Sequence, residues 1–219
     1  MTVKKFLFIL LFSCIPIGIG ISSMYHANSI TYKTGAVCNY PMTYKDYCLE
    51  KMFKKGIPSE IDLYVLDVCI QEKVNPFEML SILNNENPEQ DPFVDSPNYG
   101  FEKIYNKKLK KYYKVKTLLS TDSGLFQLNS KPMTYFIETF WVKCNETETF
   151  NVHNYKHNTR MAVRIYKSLR NSVAFKNSGW YYPVMCYNAG YGKVINKKVS
   201  KKTSIDYVNK FKENMKKYE

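Results

Sequence analysis

The chain has 219 residues, 45% of them apolar, and a formal net charge of +13. This composition supports one folded domain with a leader or tail and excludes a disordered chain. The positive excess favours an anionic partner, although solvated basic faces are the readier account of it. No zinc-finger spacing, RNA-binding signature or recognition-helix motif is present, so nucleic acid is not the expected one.

Lys4 and Lys5 precede an almost wholly apolar stretch, Phe6 to Ile21. A charged start followed by an apolar run is a secretory signal pattern, short of the ~20 apolar residues a membrane span needs. Leu11-Phe12-Ser13-Cys14 also resembles a bacterial lipoprotein signal. Soluble export, a lipid anchor on Cys14 and an uncleaved anchor through residues 6–21 stay open. All three place the body outside the cytoplasm, in a periplasm. Residues 1–23 are therefore read as leader or anchor, and 24–55 as a polar N-terminal segment. Cys38 and Cys48 lie ten apart in it, and an exported chain permits a disulfide between them. No Cys-x-x-Cys occurs and the three His are scattered, so no metal site is expected.

Helices follow. Ser59, with Asp62 three residues on, predicts a helix start, and Ile61, Tyr64, Val65, Val68 and Cys69 form its buried stripe. Asn75-Pro76-x-Glu78 predicts a second start, with an Asn cap, Pro in the first turn and Glu at the third position. Met79, Ile82, Leu83 and Glu86 share one face of that helix. Pro88 disfavours helical geometry at Asn87, so the helix should stop near Glu86. Residues 89–121 read as a long polar insert rich in Lys and Tyr, and no convincing sheet is legible. Ser130 and Pro132 predict a helix with a stripe of Met133, Phe136, Ile137, Phe140 and Trp141. Residues 155–170 predict another, through Met161, Ala162, Ile165, Tyr166 and Leu169. A short helix should precede Asn188, with Gly190 at its C-cap. Ser204 is the expected cap of a last amphipathic helix through Ile205, Val208, Phe211, Met215 and Tyr218. The fold class is mainly α, with at most a small β element.

Glu86 carries the candidate chemistry. A carboxylate at the end of an apolar stripe loses solvation when packed, which raises its pKa, and the nearby helix C-terminus disfavours its charge further. Such a group can stay protonated near neutral pH and protonate a leaving oxygen. Alone, Glu86 reads more readily as a cap or a surface ion pair. Downstream, Gly124-Leu125-Phe126-Gln127-Leu128-Asn129 offers a glycine for close backbone approach and an amide, Gln127, that both donates and accepts. Tyr187-Asn188-Ala189-Gly190 adds a phenol and a second amide.

In this order, Glu86-Asn87-Pro88…Pro92, Gly124-Leu125-Phe126-Gln127 and Tyr187-Asn188-Ala189-Gly190 resemble the soluble lytic transglycosylases, relatives of goose-type lysozyme. Residues 154–169 resemble the family's Asn-bearing stretch and following helix, and the likeness covers about residues 56–196. Two features depart from it. Asn87 stands where the family usually has Ser, and the basic stretch 99–118 lengthens the connection to Gly124. The resemblance implies a lysozyme-like catalytic domain over 56–196, followed by a basic C-terminal helix or tail, 197–219. It implies cleavage of the β-1,4 bond between N-acetylmuramic acid and N-acetylglucosamine in peptidoglycan glycan strands, with a 1,6-anhydro product and no cofactor. Glu86 would be the one general acid and base. Gln127, Asn188, Gly124 and Phe126 would bind substrate, and Tyr187 would orient Glu86 or the sugar. Asp122 is the candidate second carboxylate, although a role in bracing the loop before Gly124 fits it better. A hydrolytic muramidase on the same fold and a non-catalytic wall-binding protein are the alternatives. Product mass separates the first and sacculus binding without turnover the second. The insert's tyrosines and lysines suit sugar faces and muramyl-peptide carboxylates, or a solvated flap, and the basic tail suits the wall or an anionic membrane surface.

Overall fold

The computed structural model describes residues 42–219 apart from Lys176, Ser178 and 198–200, gives the backbone alone for 201–203, and adds two short strands near the N-terminus. The apolar leader and Cys14 lie outside the described residues. The chain divides into two compact units, 1–43 and 44–219. In the first, β1 (Ile30–Thr31) pairs antiparallel with β2 (Val37–Cys38). The second contains the eight α-helices found among the described residues and one three-stranded antiparallel sheet, so it is mainly α. None of these helices is long and apolar enough to cross a membrane.

The second unit opens with α1 (Tyr44–Lys55) and α2 (Glu60–Glu72). At the start of α2 the Ser59 hydroxyl accepts from Asp62 N–H, while the Asp62 carboxylate accepts from Ser59 N–H, both at 3.0 Å, so the two residues satisfy donors reciprocally. The next helix, α3 (Pro76–Glu86), is capped by Asn75, whose side-chain carbonyl accepts from Phe77 N–H at 2.9 Å. It was expected to bury a stripe. Instead every residue from Pro76 to Leu83 is buried, which makes α3 the central helix of the unit. Glu78, read above as a capping residue, is among them and bonds elsewhere.

Around α3 pack α2 and the C-terminal helix α8 (Lys201–Lys216). Between them in sequence come α4 (Met133–Phe140), α5 (Tyr155–Arg170), α6 (Tyr181–Ala189) and α7 (Tyr191–Ile195). Asn154 caps α5 through Lys156 and His157 N–H, and Gly190 ends α6 with φ +87°, where a side chain would be strained. The core runs through Leu66, Leu80, Phe126, Met161, Tyr166 and Phe211. Each such side chain stabilises the fold by roughly 1.5–3 kcal/mol. Arg164 of α5 ties this body together by bridging Glu72 and Glu146, at 2.8 Å each.

Three sequence expectations change. The polar insert is a long hairpin, β3 (Asp95–Asn106) with β4 (Lys111–Ser123), and β4 also pairs with β5 (Leu128–Asn129). The last helix begins at Lys201 rather than after a Ser204 cap. Ser204 is buried within it, and its hydroxyl has no partner. That helix and α1 belong to the same compact unit as residues 56–196. Cys48 is a buried free thiol, and the side chain of Cys38, its expected partner, lies outside the described residues.

Candidate active site

Glu86 is the last residue of α3, and its end is held from three directions. Asn87 is buried, not solvated as a turn residue would be. Its amide donates to the Asp91 carbonyl at 2.6 Å, and its side-chain oxygen accepts from Asp91 N–H at 3.2 Å. Asn87 thus closes the Pro88 turn locally. Residue 85 is stitched to α8: Asn85 donates to the Tyr207 carbonyl at 3.1 Å and accepts from the Asn214 side chain at 2.8 Å. Lys210 donates to the Asn85 carbonyl at 3.2 Å, which places a cation at the negative end of α3.

The third contact is to the carboxyl itself. The Tyr207 hydroxyl donates to Glu86 Oε1 at 2.5 Å. Burial pushes the Glu86 carboxyl from its ordinary 4.5 up to about 7, and the nearby Asp122 charge adds to the rise; the Tyr207 hydrogen bond and Lys210 oppose it. Near neutral pH the group is therefore divided between acid and carboxylate.

Glu86 lines an open cleft of 1590 Å³ together with Asn98, Asp122, Gln127, Tyr187 and Asn188. Pockets of roughly 300–1,000 Å³ hold drug-sized ligands, so this one has room for an oligomer. The sheet supplies one wall. Asp122 sits near the end of β4, and both its oxygens are taken. Asn129 donates to Oδ1 at 2.6 Å and Asn98 to Oδ2 at 2.8 Å.

The turn after β4 positions Gln127. Gly124 has φ +73°, and a Cβ there would lie 2.3 Å from the Val152 carbonyl and 2.4 Å from Asn158 Nδ2. Only glycine fits. Its closeness serves packing rather than substrate, and Gly124 does not line the cleft. Phe126 does not either, since its side chain is fully buried in the core. Gln127 lies in the cleft wall at φ +49°, and its amide nitrogen is spent on the Gly124 and Val94 carbonyls at 2.8 and 3.2 Å. Donation from that nitrogen to a ligand is thereby replaced by anchoring of the turn. Tyr187 lines the cleft with its hydroxyl donated to the Phe126 carbonyl at 3.1 Å, so the phenol that holds Glu86 is Tyr207 and not Tyr187. Asn188 is exposed at the cleft.

Two functional residues escaped the sequence reading. Tyr207 lies 121 positions from Glu86, and nothing local to it marks the pairing. Asn158 carried a signal. It falls on the apolar stripe of α5, three and four residues before Met161 and Ala162, and a polar residue there needs buried partners. It accepts from Phe126 N–H at 2.8 Å and donates to the Val152 carbonyl at 2.9 Å, which locks the Gly124 turn. Among the described residues no cluster of His, Cys, Asp or Glu suits a metal ion. No protein-family model, characterised protein or solved structure matches the chain.

Proposed function

We propose that the chain is a peptidoglycan lytic transglycosylase on a lysozyme-like helical fold, exported through its apolar leader and acting with Glu86 as the one acid and base. The observation that carries this reading is a carboxyl lifted to about 7 in the wall of a cleft large enough for a glycan strand. The motif resemblance at Glu86, Gly124–Gln127 and Tyr187–Gly190 names the substrate.

Protonated Glu86 gives its proton to the glycosidic oxygen as the bond to muramyl C1 breaks, and the freed N-acetylglucosamine hydroxyl departs. Positive charge develops on the muramyl ring. The carboxylate left behind then takes the proton of the muramyl C6 hydroxyl while that oxygen attacks C1. The 1,6-anhydro ring closes and Glu86 is again protonated. Tyr207 holds the carboxyl in place through both transfers, and its donation favours the carboxylate between them. Asp122, negative in the same cleft, favours the developing positive charge. Asn188 is free to meet sugar hydroxyl or acetamido groups.

Glu86→Gln is expected to fold and to abolish release of anhydromuropeptides from purified sacculi. Retained release would sink the assignment. A hydrolytic muramidase is the second reading, favoured by Asp122 sharing the cleft. Its two amide donors fit an anchored carboxylate better than a base that activates water. A product heavier by one water in mass spectrometry would decide for hydrolysis.

A further inference from the structure

Helix α4 supplies another wall of the same cleft, and it is pinned at both ends. Just before it, Ser130 N–H donates to the Thr121 carbonyl at 2.7 Å, next to Asp122 on β4. At its far end Arg164 of α5 donates to the Phe140 carbonyl at 3.0 Å. The helix reads Met133-Thr134-Tyr135-Phe136-Ile137-Glu138-Thr139-Phe140, apolar enough for a core, yet none of its residues is buried. Met133, Phe136, Ile137 and Phe140 pack against the core while staying partly exposed, and Tyr135 is 59% exposed. The cleft accounts for this, because Tyr135, Phe136 and Phe140 all line it. Their ring centres lie 6.1 Å apart for Tyr135 and Phe136, 6.2 Å for Tyr135 and Phe140, and 6.1 Å for Phe136 and Phe140. Each ring touches the other two, so the three form one continuous aromatic surface.

The rest of the cleft specifies what lies on those rings. Ser168 of α5, Asn188 of α6 and Lys193 of α7 line it too, and all three are exposed. One cleft therefore joins an aromatic wall to hydroxyl, amide and ammonium groups. An acyl chain or an apolar helix laid on the rings would strip water from those polar groups and give them no partner. A pyranose satisfies both surfaces, since it has a face of C–H groups and an edge of hydroxyls. We propose that α4 is a sugar-binding wall, where Tyr135, Phe136 and Phe140 stack on pyranose faces of the glycan strand that Glu86 cleaves. Ser168, Asn188 and Lys193 meet the hydroxyl and acetamido edges of the same sugars. The two pinned ends hold the rings in place before the strand arrives, so little ordering opposes binding. This rests on the wall-cleaving function proposed above.

The test uses the full chain carrying Glu86→Gln, pelleted with purified sacculi so that binding is read without turnover. Tyr135→Leu with Phe140→Leu keeps the wall apolar but removes two rings, and should weaken binding about tenfold. Tyr135→Ser, at the most exposed of the three rings, should weaken binding in the same direction without lowering the thermal unfolding midpoint. Phe101→Leu with Tyr112→Leu, exposed rings of the hairpin that do not line the cleft, should leave binding unchanged. With Glu86 intact, the first leucine pair should slow release at low sacculus concentration and recover at saturation, as a loss of uniform binding does. Binding by that pair as tight as the parent's overturns the proposal, as does an equal loss from the hairpin pair. A parent that does not bind sacculi overturns it too. If the Glu86→Gln protein still releases anhydromuropeptides, the catalytic reading fails on its own, and the difference between the two leucine pairs still decides the sugar wall.

Discussion

Glu78 and Glu86 stand about two turns apart on one helix, and each accepts a hydrogen bond from a tyrosine of another helix. Tyr166 of α5 donates to Glu78 Oε2 at 2.7 Å, and Tyr207 of α8 donates to Glu86 Oε1 at 2.5 Å. Burial raises the pKa of both. Their surroundings differ. Glu78 is sealed in the core at 4% exposure, with Arg170 3.7 Å away, whereas Glu86 opens on the cleft beside Asp122. A raised pKa is thus common to a structural and a candidate catalytic carboxyl. Access separates them. The N-terminal half of α3 uses its carboxyl to tie helices together, and the C-terminal end opens one onto the cleft.

Exchanging Glu86 is the strongest way to break this contrast. Glu86→Gln should lower turnover roughly 10²–10⁴-fold, the usual worth of a general acid, measured as product released from sacculi. The same variant should change how stability depends on pH. A carboxyl whose folded pKa lies above its unfolded one binds its proton more tightly when folded. Its contribution is full below about pH 4.5 and is lost as pH rises through about 7. At ~1.4 kcal/mol per pKa unit the loss across that window is about 3 kcal/mol. Denaturant titrations at several pH values should show this slope in the natural protein and a flatter one in Glu86→Gln. Identical slopes would mean that burial does not govern this carboxyl.

Glu78→Ala should do the reverse. It leaves the Tyr166 hydroxyl unpaired beside a cavity, so stability should fall by roughly 2–4 kcal/mol. Turnover per folded molecule should stay near that of the natural protein. A catalytic loss of Glu86 size, with folding intact, would show that the sealed site also takes part in the chemistry.

The two sites also differ in how far sequence disclosed them. Helix starts at Ser59 and Asn75 were legible because a cap is written within four residues. Glu86 was legible because Pro88 fixes where α3 ends. Tyr207 was not: of the expected stripe Val208 and Phe211 are buried while Ile205 is exposed, and such a stripe says nothing of which helix end it meets. The hairpin was hidden for another reason. A strand announces itself by apolar and polar residues alternating between core and solvent, and both faces of this one are exposed. Glu78 misled because a Glu at the third helical position also suits a capping box. Phe126 misled because it directly precedes Gln127 of the cleft wall while its own side chain turns into the core.

Tyr207→Phe sharpens the comparison at the Glu86 end. Removing the donor takes away a contact that favours the carboxylate, so the Glu86 pKa should rise further. If the protonated form is the active one, the alkaline limb of the pH–rate profile should move to higher pH. The rate below that limb should fall about tenfold, because the carboxyl loses its tether. Tyr166→Phe, the matching change at Glu78, should move neither. A fall in rate with no movement of the limb would reduce Tyr207 to packing.

Asp122→Asn is the mildest of these changes and the one that bears on mechanism. Asn keeps the size of the side chain and can still take a donor from Asn98 or Asn129. The negative charge that helps to raise Glu86 is gone, so the alkaline limb should move to lower pH, opposite to Tyr207→Phe. The loss of charge beside a positive muramyl ring should slow turnover less than tenfold, well short of the Glu86 effect. If Asp122 only braces the β4–β5 junction and biases Glu86, the product of Asp122→Asn remains the anhydro sugar. If Asp122 activates water, the natural protein yields a reducing-end product and the variant yields almost none. One mass spectrum of each protein on the same sacculi distinguishes the two, because the charge and the base make opposite claims about where the water goes.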